Sequence, residues 1–261
     1  MIPKIIHYCW FGRSKMPKLA KKCLRSWKKY CPDYLIKEWN EDNFDLDLYP
    51  YVREAYDNRK YAFVTDVVRL YALYHEGGIY MDTDVEVIKP LDSFLKHIAF
   101  SGFENETNVP TGIMASEKGG SWVKDNLDYY NNRHFIKSDG SFDFTTNVVI
   151  ISNYMLAHGL KQNNTYQEFP NLITLYPKDV FCPLSYQGMK LNITDNSVTI
   201  HHFSGSWLPT KIRLKDHHPF VYRIVYFLPN HWAAFKIWCD KRLKNGLILL
   251  WIFYFQQIIT M

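Results

Sequence analysis

Two aspartates, two residues apart, are the residues of this chain best suited to chemistry. Asp82 and Asp84 follow a short apolar run that ends at Met81. In an extended segment alternate side chains project to the same side, so both carboxylates can face one cation. Carboxylate oxygens suit hard cations such as Mg²⁺ or Mn²⁺. The pair therefore predicts a divalent metal site able to hold the phosphates of a nucleotide.

The surroundings of this pair distinguish it from a second copy of the same spacing, Asp45 and Asp47. Residues 61–76 have the apolar periodicity of a helix, and Gly77 and Gly78 can end it. Residues 79–81 predict a short buried strand, and residues 85–88 continue extended. The acidic pair is thus predicted at the carboxyl end of a strand in an α/β unit, where open sheets bind ligands. The predicted apolar stripe of the helix is Val64, Val67, Val68, Tyr71 and Tyr74.

Asp66 and Arg69 lie three residues apart on the predicted helix and are therefore neighbours on one face. They have two interpretations. The first is a surface ion pair that contributes little to stability. The second is a binding role, in which Asp66 accepts hydrogen bonds from a ribose or sugar hydroxyl and Arg69 steadies phosphates or the nearby carboxylates.

Three blocks of this sequence resemble glycosyltransferase family 32, the sugar-transferase group with the DXD motif. The central block is residues 63–84, from Phe63 to Asp84. The opening block, residues 2–12, resembles the family's first strand, and residues 200–207 resemble its closing His-His-x-x-Gly-Ser-Trp motif. Relatives include bacterial capsule transferases, fungal mannosyltransferases and, more distantly, the large glucosylating toxins.

The resemblance implies an α/β fold of the Rossmann-like GT-A type, a nucleotide-sugar donor, a divalent metal and transfer with retention. It implies that Asp84 binds the metal directly and that Asp82 binds it through water or holds the donor. The resemblance implies that Asp82, Asp84, Arg69 and Trp207 are catalytic. The metal, Arg69, His202 and Trp207 would share the negative charge that develops on the leaving diphosphate. The implied donor-binding residues are Trp10, Asp66, Arg69, Tyr80, Asp82, Ser206 and Trp207.

Trp10 would stack on the donor base, although a tryptophan at this position could also belong to the core. His202 is expected to complete the metal site, since it lies three residues before Gly205 as in related retaining transferases. If the segment is extended, His201 would point the other way. His202 is therefore favoured as the ligand.

The acceptor side carries weaker signals. Glu104 and Asn105 follow a predicted strand at residues 99–103, and Asn147 lies in an apolar run that could be another strand. These positions could present polar groups to a sugar. Thr146, Asn147 and Val148 stand where the family often has Thr-Gly-Pro, which leaves the acceptor open.

Composition indicates a globular enzyme in a reducing compartment. The chain has 261 residues, 47% of them hydrophobic, and five cysteines without a C-x-x-C pair. Its start does not have the pattern of a signal peptide. A net charge of +5 fits an anionic donor or membrane and does not argue for nucleic acid. Together with the resemblance to short bacterial capsule enzymes, this implies a cytoplasmic enzyme at the inner face of a bacterial membrane.

The predicted organisation is a GT-A catalytic domain at residues 1–210 and a basic, aromatic helical tail at residues 211–261. Residues 1–95 would be the nucleotide-sugar and metal half, and residues 96–210 the acceptor half. The tail alternates apolar aromatic runs with Lys and Arg. It either lies on anionic lipid as a peripheral membrane contact or packs on the domain or a second copy.

The sequence thus predicts a metal-dependent retaining glycosyltransferase that uses Mn²⁺ or Mg²⁺. It would move a hexose or N-acetylhexosamine, with a UDP-sugar favoured, to a surface or capsular polysaccharide or a lipid-linked glycan. Three alternatives stay open: a nucleotidyl or phosphoryl transferase, a glycoside hydrolase, and a non-catalytic carbohydrate-binding membrane protein. The first has no Gly-rich phosphate loop with Lys in this sequence.

Overall fold

The computed structural model describes residues 1–186 and 189–205. Within these residues no helix has the length and apolar character needed to cross a membrane. The helices are α1 (Lys18–Tyr30), α2 (Pro50–Asp57), α3 (Tyr61–Glu76), α4 (Ser121–Asp128), α5 (Asn147–Ala157) and α6 (Lys178–Phe181), with short 3-10 turns at Leu46–Leu48 and Asp92–Phe94. The strands are β1 (Ile5–Cys9), β2 (Leu35–Trp39), β3 (Gly78–Met81), β4 (Val85–Val87), β5 (Ala99–Gly102), β6 (Ile113–Ser116), β7 (Gln167–Phe169), β8 (Ile173–Tyr176), β9 (Leu184–Ser185), β10 (Lys190–Leu191) and β11 (Thr199–His201).

A seven-stranded mixed sheet with the order β2-β1-β3-β6-β5-β8-β7 forms the centre of the described region. Strand β1 runs parallel to β2 and β3, and β5 runs parallel to β8, while β6 and β7 run the opposite way. Strands β1, β3 and β5 therefore end at one edge of the sheet. The predicted α/β class is confirmed by this sheet, whose first three strands are parallel as in Rossmann-like folds.

Helices pack on both faces of the sheet because successive strand residues point to opposite sides. Ile6 and Ile79 lie in one core cluster with Trp27 of α1. Cys9 and Tyr80 lie in the other cluster with residues of α2, α3, α4 and α5. Both faces of the strands are thus buried, which explains why β3 and β6 read as continuous apolar runs.

Helix α3 has the bounds that the sequence predicts, and it is buried on nearly every side. The three valines of the predicted stripe are fully buried. Its two tyrosines are half-buried and pack against the core. The helix ends at Gly77, whose φ of 69° lies in the left-handed region that favours glycine. A Cβ on Gly78 would lie 2.7 Å from the Ile5 carbonyl oxygen, so β1 and β3 need glycine there to pair.

Strand β4 leaves the main sheet and pairs with β11 in an antiparallel ribbon. The register sets His201 opposite Val85 and Ile200 opposite Glu86. The acidic pair lies in the turn between β3 and β4, where the Val85 N–H donates to the Asp82 carbonyl oxygen at 2.9 Å. The junction of the main sheet with the ribbon therefore positions both carboxylates.

One predicted element is wrong. The run that contains Asn147 is helix α5 and not a strand. Ile150, Ile151 and Met155 are buried at helical spacing while Val149 is exposed, so the apolar run has one buried helical face. The predicted division at residues 95, 96 and 210 stays a prediction, and the tail at 211–261 lies outside the described residues.

Candidate functional site

The acidic pair lies at the edge where β3 ends. Asp84 is buried and Asp82 is half-buried. The Asp82 N–H donates to the Gly112 carbonyl oxygen at 2.9 Å, which extends the pairing of β3 with β6 by one residue. Both carboxylates are therefore held close to fixed backbone.

His201 completes a cluster with the two aspartates. Its Nε2 lies 3.4 Å from Asp84 Oδ1 and 4.0 Å from Asp82 Oδ2. One ligand atom from each of the three residues lies within 4.8 Å of the others. Burial alone would lower the pKa of His201, but the carboxylate of Asp84 outweighs it and holds that pKa well above its ordinary value.

The structure corrects the choice between the two histidines. His202 Nε2 bonds to Glu86 Oε2 at 2.8 Å, and Lys22 Nζ donates to the same oxygen at 2.7 Å. Neighbouring residues of an extended segment point to opposite sides, and the β4–β11 register turns His201 toward the acidic pair. His202 therefore faces a surface ion pair.

The segment after β11 closes over Asp84. The His202 N–H donates to the Asp84 carbonyl oxygen at 3.0 Å, and the Ser204 N–H donates to Asp84 Oδ2 at 2.7 Å. Burial by itself would raise the pKa of Asp84, yet His201 and the Ser204 N–H favour its charged form and hold that pKa well below the usual range. Phe203 adopts a φ of 49° between these contacts. Its ring packs on His201 with a centroid distance of 4.2 Å.

Gly112 leaves the space that this cluster occupies. A Cβ built on it would lie 3.1 Å from Asp82 Oδ2, 3.1 Å from His201 Cε1 and 3.0 Å from Val85 Cγ2. Any larger residue would press on the carboxylate and the imidazole together. Neither Gly112 nor Ser204 is predicted from the sequence, because neither belongs to a pattern whose contacts can be inferred without the fold.

Arg69 connects the acidic pair with Asp66. Its guanidinium lies 3.2 Å from Asp66 Oδ1 and 3.2 Å from Asp82 Oδ1, and its Nε donates to the Thr65 carbonyl oxygen at 3.1 Å. Burial disfavours the charged form, but Asp82 and Asp66 outweigh it and raise the pKa of Arg69 above its ordinary value. Asp66 and Arg69 therefore belong to a buried network and do not form the surface ion pair of the first interpretation.

Tyr80 contacts two residues of this network. Its hydroxyl donates to Asp82 Oδ1 at 2.9 Å, and the Arg69 guanidinium lies 4.7 Å from its ring centroid. The side chain is only 2% exposed. Tyr80 therefore contacts Asp82 and Arg69, and its predicted donor-binding role stays a prediction.

Asp66 is held by the first turn of α5. The Asn147 N–H donates to Asp66 Oδ2 at 3.2 Å, and the Asn147 side chain donates to the Asp66 carbonyl oxygen at 3.3 Å and to the Tyr130 hydroxyl at 2.8 Å. Burial raises the pKa of Asp66 to about 6, although Arg69 and the Asn147 N–H act in the opposite direction. Asn147 thus positions Asp66, a role different from the predicted acceptor contact.

Two further predicted residues lie at the same sheet edge. Trp10 follows β1; it is half-buried, and its indole N–H donates to the Ser14 carbonyl oxygen at 2.7 Å. Glu104 follows β5. Burial raises its pKa, and its charge interacts with those of His201, Asp82 and Asp84.

Asn105 lies further from this chemistry, since its side-chain oxygen accepts from the N–H groups of Thr107 and Asn108 at 2.9 Å and so closes a turn. Ser206 and Trp207 lie outside the described residues. The structure therefore brings together Asp66, Arg69, Tyr80, Asp82, Asp84, Glu104 and Asn147 of the predicted set, and adds His201, Ser204 and Gly112.

Comparison with known proteins matches the first part of this region. Residues 17–101, which include Asp66, Arg69, Asp82 and Asp84, match the family model described as "Glycosyltransferase sugar-binding region containing DXD motif". The predicted resemblance is confirmed by this match. The matched region ends before Gly112 and His201, so the structure alone brings those two residues to the site.

Two yeast proteins are similar over part of their length. Inositol phosphoceramide mannosyltransferase 3 of Schizosaccharomyces pombe is 32% identical over 122 residues, which are 45% of this chain and 34% of that protein. Mannosyl phosphorylinositol ceramide synthase SUR1 of Saccharomyces cerevisiae is 29% identical over 120 residues, 44% of this chain and 31% of that protein. The matched segment thus spans about a third of each relative.

Among solved structures, the PaToxG glycosyltransferase aligns with a TM-score of 0.45 and 20% identity over 61% of this chain and 71% of that one. A glycosyltransferase involved in the glycosylation of the major capsid of PBCV-1 aligns with a TM-score of 0.42 and 14% identity, over 83% of this chain and 98% of that one.

Proposed function

Residues 17–101 of this chain match the glycosyltransferase family whose sugar-binding region contains the DXD motif, and on that premise we propose that the chain is a metal-dependent glycosyltransferase. It takes a hexose or N-acetylhexosamine from a nucleotide-sugar donor and transfers it, with retention, to a glycan or lipid-linked glycan. The enzyme acts in the cytoplasm, at the inner face of a bacterial membrane.

The observation that carries this proposal is the meeting of Asp82, Asp84 and His201 at one sheet edge. Two carboxylates and an imidazole are donors that suit Mn²⁺ and other divalent ions. The space in front of Gly112, which a Cβ would fill, fits the same conclusion. The three residues therefore fit a divalent cation.

Asp82, Asp84 and His201 would hold that cation, which supplies positive charge to a diphosphate leaving group when bound. The charged carboxylate of Asp84 favours the protonated form of His201, whereas a metal ligand would be the neutral imidazole. The backbone N–H of Ser204 keeps Asp84 charged and fixed in place. The site is thus preorganised by contacts that do not depend on the donor.

Arg69 supplies a second, permanent positive charge beside the acidic pair. Its contacts with Thr65, Asp66 and Asp82 fix the guanidinium, so little reorganisation is needed as negative charge develops on the donor. Asp66 keeps acceptor capacity next to it and would take a hydrogen bond from a ribose or sugar hydroxyl. Trp10, at the same edge, would stack on the base.

The proposed sugar and acceptor rest on the names of the relatives and on one carboxylate near the site. One relative is named an inositol phosphoceramide mannosyltransferase and the other a mannosyl phosphorylinositol ceramide synthase, so GDP-mannose stands beside the UDP-sugars as a candidate donor. Their names also contain a phosphoinositol ceramide, which favours a lipid-linked acceptor for this chain. Glu104, at the end of β5, is the carboxylate best placed to meet the transferred sugar or the acceptor.

The test is release of nucleotide by the purified protein from UDP-glucose, UDP-galactose, UDP-N-acetylglucosamine and GDP-mannose, with Mn²⁺ or Mg²⁺, with and without chelator. Chelator-sensitive release of UDP or GDP from one donor is expected. Release of a nucleoside monophosphate, or transfer of the nucleotidyl group to the acceptor, would instead indicate a phosphoryl or nucleotidyl transferase. Donor binding without turnover in the presence of lipid-linked glycans would indicate a binding protein.

A further inference from the structure

The first part of the chain has an unusual charge distribution. Residues 1–32 contain nine Lys and Arg and no Asp or Glu, so the rest of the chain carries a formal excess of acidic residues over Lys and Arg. Six of these cations lie on α1, and all six are exposed: Lys18, Lys21, Lys22, Arg25, Lys28 and Lys29. Residues 1–32 are therefore a strongly basic segment, and α1 carries most of its cations.

This arrangement does not help α1 to fold. The six cations follow one another at spacings of three and four residues or as direct neighbours, and like charges at those spacings destabilise a helix. The helix has no side-chain N-cap and no acidic residue in its first turn. Its buried residues are Ala20, Cys23 and Trp27, which pack against the sheet and hold it in place.

Within the described part of the chain, Lys22 is the one cation of α1 with a carboxylate partner. Among residues 1–186 and 189–205 the other five cations of α1 have no carboxylate partner, and Lys29 contacts the hydroxyl and ring of Tyr30. A surface that is locally unfavourable and unneutralised is expected to have a ligand of opposite charge.

Helix α1 is joined directly to the strand that follows the acidic pair. The Trp27 indole N–H donates to the Val85 carbonyl oxygen at 2.7 Å, and the Val87 N–H donates to the Ser26 hydroxyl at 2.9 Å. Glu86 bonds to Lys22 on α1 and to His202, the neighbour of His201. Whatever binds the exposed face of α1 therefore lies beside the strand that follows Asp84.

We propose that the exposed face of α1 docks the protein on an anionic lipid surface. Cations on a helix with a buried apolar face suit the headgroup region of a membrane, where each basic residue adds to the attraction. Nucleic acid is disfavoured, because the aromatic residues of α1 are buried or half-buried and present no stacking platform to bases. Docking would bring a lipid-linked acceptor to the site, and this step rests on the proposed function.

The experiment measures binding of the full chain to vesicles of phosphatidylcholine, alone and with phosphatidylglycerol, at low and high salt. The test variant changes Lys18, Lys21, Arg25 and Lys28 together to Gln. Its matched control changes four exposed lysines elsewhere, Lys118, Lys137, Lys161 and Lys190, to Gln, so both lose the same charge. Gln has a helix propensity close to that of Lys, and thermal unfolding checks that both variants fold.

Binding to the anionic vesicles alone, weakened by salt, is expected. The α1 variant should lose on the order of 100-fold or more in partition coefficient, because each basic residue near an anionic surface contributes about fivefold, and the control should lose far less. Equal loss in both variants, no loss in the α1 variant, or no binding of the parent would each overturn the proposal. Tighter binding of the parent to single-stranded DNA than to anionic vesicles at the same salt would assign the surface to nucleic acid. Donor turnover, measured on the same proteins without vesicles, reports on the proposed function separately.

Discussion

The chain contains the same two-aspartate spacing twice, and the two copies have different surroundings. Asp82 and Asp84 lie at a sheet edge, where backbone groups, Arg69, Tyr80 and His201 contact them. Asp45 precedes a 3-10 turn and Asp47 lies within it. Asp45 Oδ1 accepts a hydrogen bond from the Asp47 N–H at 2.9 Å. The Asp47 side chain is 70% exposed and pairs with Arg53.

The difference lies in the partners and not in the spacing. Each pair has an arginine. The Arg69 side chain is 11% exposed and bridges two carboxylates, whereas the Arg53 side chain is 38% exposed and bonds Asp47 through Nε at 2.6 Å. Only the first pair also has a histidine within the described residues, and a strand far along the chain supplies it. A motif of two residues therefore becomes a candidate metal site when the fold brings a histidine and a largely enclosed arginine to it.

The largest contrast is expected in nucleotide release, between the Asp84→Asn and Asp47→Asn variants. Loss of the Asp84 charge removes a carboxylate ligand and the partner of His201, so metal-dependent nucleotide release should fall by about 10²–10³-fold. Asp47→Asn should leave release unchanged. Steady-state assays with Mn²⁺, together with thermal unfolding of both variants, make the comparison. Equal activity of the two variants would remove Asp84 from the metal site.

The second-largest contrast is expected in the stability of two arginine variants. Arg69→Met leaves Asp66 and Asp82 unpaired in a buried environment, and the free energy of unfolding should fall by about 3 kcal/mol. Arg53→Met removes a partly exposed contact and should change it little. Urea unfolding monitored by tryptophan fluorescence measures both. A similar small change in both variants would show that the Arg69 network does not hold the acidic pair.

The histidines separate the site from its neighbouring ion pair. His201→Gln should weaken Mn²⁺ binding by about 10- to 100-fold, since it removes a ligand or its closest support. His202→Gln should leave Mn²⁺ affinity nearly unchanged, because His202 contacts Glu86. Calorimetric titration with Mn²⁺ gives both values. The reverse order would restore His202 as the ligand.

The smallest effect concerns pH. The pKa of Asp66 is raised to about 6 in the folded protein, so folding favours its protonated form. Its contribution to the free energy of unfolding therefore decreases as pH rises from about 4 through 6. Asp66→Asn removes this dependence, and the variant should gain on the order of 1 kcal/mol relative to the parent over that window.

Asp47→Asn again serves as the control for this pH dependence. Arg53 lowers the pKa of Asp47, so its contribution has the opposite sign and is lost as pH falls. Unfolding curves between pH 4 and 7 should therefore show a falling contribution for Asp66 and a constant one for Asp47, whose contribution is lost only below about pH 4. Parallel pH profiles for the parent and Asp66→Asn would contradict the raised pKa of Asp66.

Much of the region around Asp82 and Asp84 can be predicted because its information is local. Helix α3, its glycine end, strand β3 and the acidic pair are contiguous in the sequence, and their periodicities of 3.6 and 2 are visible there. Asp66, Arg69 and Asp82 can be grouped for the same reason, since they lie on one helix and just after the short strand that follows it.

Two predictions are wrong because local pattern does not determine the geometry at those positions. The run after Asn147 is apolar on nearly every side, so its length and neighbours, and not its periodicity, decide between helix and strand. The choice between His201 and His202 depends on strand register, because a shift of one residue exchanges the two faces of a strand. The sequence of residues 200–205 does not determine which register β11 adopts.

The sequence by itself determined the α/β class, the buried helix and the position of the acidic pair at the end of a strand. These follow from hydrophobic period and glycine conformation, which act over a few residues. The tertiary structure decided that His201 joins Asp82 and Asp84, that Gly112 leaves room for them, and that Asn147 holds Asp66. Each of these contacts joins residues distant in the chain, and such contacts are set by strand pairing and packing and not by local preference.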